Sequence, residues 1–133
     1  MFHHTIETAQ SVEDAIASLE HTLKEEQFGI LWRFSIQDKL NEKGIEFRDK
    51  YIILEVCNPL EASRVLYENR LAGYFLPCKI AVYEQDGKTR VGLPKPSAIM
   101  GMMESAEVLQ QLALDVEQRL IRCIEKSQQM NGS

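Results

Sequence analysis

The chain has 133 residues, 44% of them hydrophobic, and a formal net charge of −5. That length and apolar content suit one domain that buries a core without staples, while the acidity excludes unaided binding to phosphate backbones, which needs clustered Lys and Arg. Three cysteines, at 57, 78 and 123, are too few and odd in number for a disulfide framework, so reduced thiols in a cytosol are expected.

Met1 to Glu7 shows neither the cationic nor the apolar segment of a secretory signal, and no apolar run reaches the ~20 residues that cross a bilayer. A cytoplasmic protein with no membrane and no nucleic-acid partner is expected. Phe2, His4 and Ile6 alternate with His3, Thr5 and Glu7, the period of a strand with one face on a core. Ser11 stands as an N-cap before Val12, Ile16, Leu19 and Leu23, which predicts a helix over 12–27. Ile30, Trp32 and Phe34 on one face and Leu31 and Arg33 on the other give a second strand. Ser35, Asp38, Leu40 and Gly44 then read as cap, first-turn acid, buried contact and stop of a two-turn helix.

Tyr51 to Cys57 is apolar on both faces except for Glu55, the pattern of an interior strand covered on both sides. Asn58 as N-cap, Pro59 at the first helical position and Glu61 three residues after the cap mark the next helix start, and Gly73 is placed for its αL stop. Phe75 to Glu84 reads as extended, Asp86-Gly87 as a tight turn and Thr89 to Leu93 as the returning strand. Pro77 has no amide hydrogen for a ladder, so the start of that strand is expected at an edge or unpaired. From Ser105 onward Leu109, Leu112, Ala113, Val116, Leu120, Cys123 and Ile124 recur at helical spacing, predicting a long C-terminal helix. The elements sum to a single α+β domain of about five strands over 1–127, with a frayed polar tail over 128–133.

Candidate site residues cluster where the third strand meets its helix. Glu55 and Cys57 share a strand face, and Asn58 turns the backbone into a helix whose first amides favour a thiolate. Cys57 is thus either a nucleophile or ligand, or a small core residue. Cys78 meets it if the two strands are neighbours, and Cys57 and Cys78 are then weak metal candidates, lacking the short Cys-x-x-Cys spacing of structural zinc sites. His3 and His4 face opposite sides of a strand and cannot easily chelate one ion, and His21 has no evident partner, so any cofactor stays unknown. Glu55, an acid in an apolar strand, must reach solvent or find a partner; buried, it would suit proton transfer. No catalytic triad and no Gly-rich phosphate loop accompanies it, so the residues give an enzyme no support. Lys88, Arg90 and Lys95 precede Ile99, Met100, Met102 and Met103, a basic and then Met-rich loop that reads as a lid, a dimer contact or a core plug. Leu114 and Ile121 lie beside the main stripe of the last helix, so its apolar surface or the Met-rich loop is expected to form a homodimer.

The succession Glu55-Val-Cys-Asn-Pro59, Leu76-Pro-Cys78 and the Val82 to Gly87 hairpin, closed by a long helix, resembles the domain-of-unknown-function 302 family over nearly the whole chain. The resemblance implies a TATA-binding-protein-like fold, a curved antiparallel sheet with helices on one side, and no established activity. Family members often carry an acid before a proline after the hairpin, where this chain has Lys95-Pro96. The reading that follows is a binding domain for a small ligand or a protein, its pocket between sheet and Met-rich loop near Glu55, Asn58 and Cys78. The competing reading is a thiol- or metal-dependent activity at Cys57 and Cys78, with Glu55 as proton carrier or ligand.

Overall fold

The computed structural model describes residues 1–103 and 107–129. Eleven elements follow in chain order: β1 (His3–Thr8), α1 (Val12–Glu25), β2 (Gly29–Ser35), α2 (Ile36–Glu42), β3 (Tyr51–Cys57), α3 (Pro59–Glu68), a 3-10 helix (Arg70–Phe75), β4 (Cys78–Gln85), β5 (Lys88–Pro94), α4 (Pro96–Met100) and α5 (Glu107–Gln129). The strands form one antiparallel sheet in the order β1-β5-β4-β3-β2. No helix among the described residues is long and apolar enough to cross a membrane.

Local chemistry sets most boundaries. Ser11 and Ser35 accept hydrogen bonds from the amides of Asp14 and Asp38, each at 3.1 Å, so both helices begin where a side-chain cap satisfies a free N–H. Asp86 and Gly87 take φ of 54° and 76°, the paired left-handed conformation that lets a two-residue hairpin follow the twist of its strands.

One face of the sheet carries the core. Ile52, Leu54 and Val56 of β3, Ile80 and Val82 of β4, and Val91 and Leu93 of β5 are buried against α1 and α5. Thr22 of α1 ties these helices together, its hydroxyl donating to the Leu19 and Cys123 carbonyls. A smaller cluster, Val65, Ala72, Met100, Leu109 and Ala113, joins α3, the 3-10 helix and α4 to the start of α5.

The other face is open, which corrects the expectation that β3 is covered on both sides. Tyr51, Ile53, Glu55 and Cys57 are only half buried there, and Tyr51 stacks on Tyr83 with ring centroids 4.8 Å apart. The face assignment of β2 also changes. The register slips between Ile30 and Trp32, so Leu31 is a bulge: Ile30 packs on the core, whereas Trp32 and Phe34 stack at 5.4 Å opposite Glu55 and Ile53. A single inserted residue reverses every later side chain because strand periodicity is two. Trp32 is consequently 57% exposed.

Three further expectations are corrected. Gly73 does not stop α3 in the αL conformation; α3 ends at Glu68 and Gly73 lies in the 3-10 helix, where a Cβ would come 3.1 Å from Leu66 Cδ2. The Met-rich stretch is not all loop, since Pro96 opens α4 and the buried Glu117 of α5 accepts the Ser97 amide at 3.0 Å. α5 continues through Gln129, past the expected end of the domain, with Ser127 buried and its carbonyl accepting Gln10 Nε2 at 3.0 Å. Ser105, the expected first residue of that helix, lies outside the described residues.

Candidate functional site

A cavity of about 280 Å³ opens where the sheet ends, between β3, β4, α3, the 3-10 helix, α4 and α5. The two apolar clusters meet around it, Val56 and Val116 from the main core, Val65, Met100 and Ala113 from the smaller one. Phe28, Phe75, Leu76, Pro77, Pro94, Pro96 and Ile99 complete a largely apolar wall. Pro77, linked to Leu76 by a cis peptide bond, precedes the first paired residue of β4, as expected of a residue without a ladder donor.

Polar groups enter the wall at the start of α3. Asn58 is 6% exposed, and its Oδ1 accepts the Glu61 amide at 3.2 Å. Glu61, equally buried, faces the cavity from the same side of α3 as Val65, four residues on. Its carboxylate does not return to the Asn58 amide to close a capping box; Oε1 instead accepts Arg64 Nη1 at 2.9 Å and lies 3.6 Å from Arg119 Nη1. Arg119 is shared further, with Glu26 at 3.1 Å and Asp115 at 3.5 Å, and its guanidinium lies over the Phe28 ring at 5.2 Å. Glu61 Oε2 is buried and meets no donor among the described residues.

Of the residues singled out from the sequence, Cys57, Asn58, Cys78 and Met100 all line this cavity. Met103 does not; it is half buried and packs on the smaller cluster. Met100, 4% exposed, is itself part of that cluster, so it serves as the plug among the roles open to the Met-rich stretch. Glu55 is outside the cavity as well. It sits on the open face and accepts Lys79 Nζ at 2.7 Å across the β3–β4 pair, so the acid that looked isolated in its strand has its partner on the next one.

The thiols are not activated. Burial pushes Cys57 above its ordinary value, and burial with the nearby Cys57 pushes Cys78 up to about 11. The helix start has little left to offer a thiolate: Pro59 has no N–H, the Glu61 amide is capped by Asn58, and the Ala62 amide donates to the Asn58 carbonyl at 2.9 Å. Among the described residues no three His, Cys, Asp or Glu side chains are grouped to hold a metal ion.

The site residues that sequence reasoning passed over are Glu61, at the cavity wall, and Arg119, which pairs with it. Glu61 was fully accounted for as a helix-start acid. The sign of a second role was its position one turn before Val65, on the inward face of α3.

Five antiparallel strands backed on one face by α1 and a long C-terminal helix define an α+β sheet domain with its cavity at the sheet end. The domain of unknown function DUF302 matches residues 4–127, and the chain belongs to that family. It is similar to an uncharacterized conserved DUF302 protein from Bacillus stearothermophilus, whose crystal structure shares 49% identity, covers 96% of this chain and 98% of its own, and aligns with a TM-score of 0.92. No curated protein matches the chain. Neither match specifies an activity.

Proposed function

We propose that this chain is a cytoplasmic binding domain that takes a small, largely apolar ligand into the cavity between α3, α4 and the end of the sheet. The observation that carries this reading is the cavity of about 280 Å³, apolar in its walls yet furnished with two polar side chains, Asn58 and Glu61, each 6% exposed. Ligand sites have this composition, apolar walls supplying affinity and a few fixed polar groups supplying orientation. The three thiols are free, which suits a reducing compartment.

Titration with hexanol, followed by backbone amide shifts, tests the reading. Shifts concentrated over α3, α4 and the first residues of β4 are expected, and Ala62→Phe, which fills the cavity from its half-buried rim, should abolish them while the rest of the spectrum is kept. Shifts scattered over the surface, or unchanged by Ala62→Phe, would refute the cavity as a binding site.

The homodimer reading moves to another surface. Ile121 packs against the core, leaving Leu114 of the pair beside the α5 stripe, at 38% exposure. The open sheet face, with the Trp32–Phe34 and Tyr51–Tyr83 stacks, is the better candidate. Light scattering of Trp32→Lys against the parent chain decides it; equal masses for the two would remove this surface from consideration.

A further inference from the structure

We infer that the ligand of this cavity presents a hydrogen-bond donor, an ammonium group being its strongest form, and that Glu61 is the side chain that receives it. The inference rests on the binding reading above and names the chemistry of the ligand's head. Glu61 lines the cavity from the first turn of α3, nearly wholly buried, and the donors it has reach only one of its oxygens. Oε2 is buried and unpaired among the described residues. A carboxylate oxygen held away from water without a donor is costly, and a ligand N–H or O–H removes that cost.

The cations around Glu61 reach only Oε1, and each is shared with other acids or with solvent. Arg64 is half exposed, so much of its field is screened by solvent. Arg119 is divided among Glu26, Glu61 and Asp115, three acids around one guanidinium. Lys79, the cation at the cavity wall, is engaged by Glu55 on the other face of the sheet. Asn58 Oδ1 already accepts the Glu61 amide, so Glu61 Oε2 is the acceptor at this wall left wholly without a donor among the described residues. An anionic head would therefore face a buried carboxylate, with the cations nearby among the described residues already paired to acids. An amine or hydroxyl on an apolar body matches both the walls and the unpaired oxygen.

The test uses three probes with one body: hexylamine, hexanol and hexanoate, each titrated into the full chain and followed by amide shifts. Hexylamine should bind about tenfold or more tighter than hexanoate, with hexanol between them, as expected of a charge-assisted hydrogen bond in a poorly solvated site. Glu61→Gln keeps the side-chain volume and removes the charge; hexylamine should then fall to about the level of hexanol, whose own binding reports that the cavity is intact. Arg64→Gln, at a half-exposed position, should widen the preference for hexylamine, and it serves as the second variant should Glu61→Gln fail to fold. Hexanoate binding as tightly as hexylamine, or an unchanged ratio in both variants, overturns the inference while leaving the cavity reading standing. Absence of cavity shifts with all three probes overturns both.

Discussion

Asn58 Oδ1 accepts the Glu61 amide at 3.2 Å, so the side chain that starts α3 also anchors the backbone from which the buried Glu61 carboxylate projects. Cap and site are one arrangement. Asn58→Ala should cost about 1–2 kcal/mol of stability, the usual loss for a side-chain N-cap, and should weaken hexanol binding as well. Urea unfolding at unchanged slope, paired with the hexanol titration, measures both. Asn58→Asp, which retains the acceptor, should keep most of the stability; a full loss there would show that the cap is not the origin of the effect.

The thiols predict a pH dependence with a definite sign. Burial raises Cys78 and Cys123 from 9.0 to about 11, so the folded state retains protons that the unfolded chain releases. Their contribution is fully present below the unfolded value and is lost as pH rises from about 9 towards 11. Stability measured across this range should fall less steeply in Cys78→Ala than in the parent chain. At neutral pH both Cys57 and Cys78 should alkylate more slowly than free cysteine, since only the thiolate reacts. A fast-reacting thiol at neutral pH would contradict the site geometry.

The two faces of the sheet predict opposite tolerance to substitution. Leu54, wholly buried on β3, should lose about 2–5 kcal/mol on change to Ala, the range for emptying a packed core position. Trp32→Ala on the open face should cost far less in the isolated chain, despite the larger side chain. Equal losses in chemical unfolding would mean that the outer face is covered in solution.

Gly92 marks the close approach of β1 and β5. A Cβ there would lie 2.5 Å from Thr5 Oγ1 and 3.1 Å from the His4 carbonyl oxygen. Gly92→Ala should destabilise by about 1–3 kcal/mol, as overpacking commonly does. Adding Thr5→Ala should recover part of that loss, because it removes the nearer atom and leaves the backbone contact. Thermal unfolding of the single and double variants measures the recovery; its absence would place the strain elsewhere.

What was legible in the sequence was local. The Ser11, Ser35 and Asn58 caps and the Asp86-Gly87 turn depend on residues within one turn of chain, and each sits where its chemistry predicts. The outcome at Glu55 depended on Lys79, 24 residues away, and nothing in the apolar run of β3 announces that partner. The Leu31 bulge was hidden for a related reason: alternation from Ile30 to Phe34 reads equally well with or without a slipped register, and only pairing with β3 decides it. Cys57 and Asn58 reached the cavity together because the end of β3 and the start of α3 are adjacent in any register, whereas Cys78 depends on the pairing of its strand with β3 at Val56. Glu61 stayed concealed because helix-start chemistry already explained an acid three residues past Asn58.

The cavity lies at the seam between two apolar clusters, one beneath the sheet and one beneath α3 and α4, and both contribute to its wall. Among the described residues the smaller cluster rests on five buried side chains, so the layer it holds has a weaker claim to cooperativity with the sheet than α1 has. A molecule bound at the seam touches both clusters at once and completes contacts that neither makes alone. A ligand held at that seam would act as mortar between the two clusters, opposing independent opening of α3 and α4.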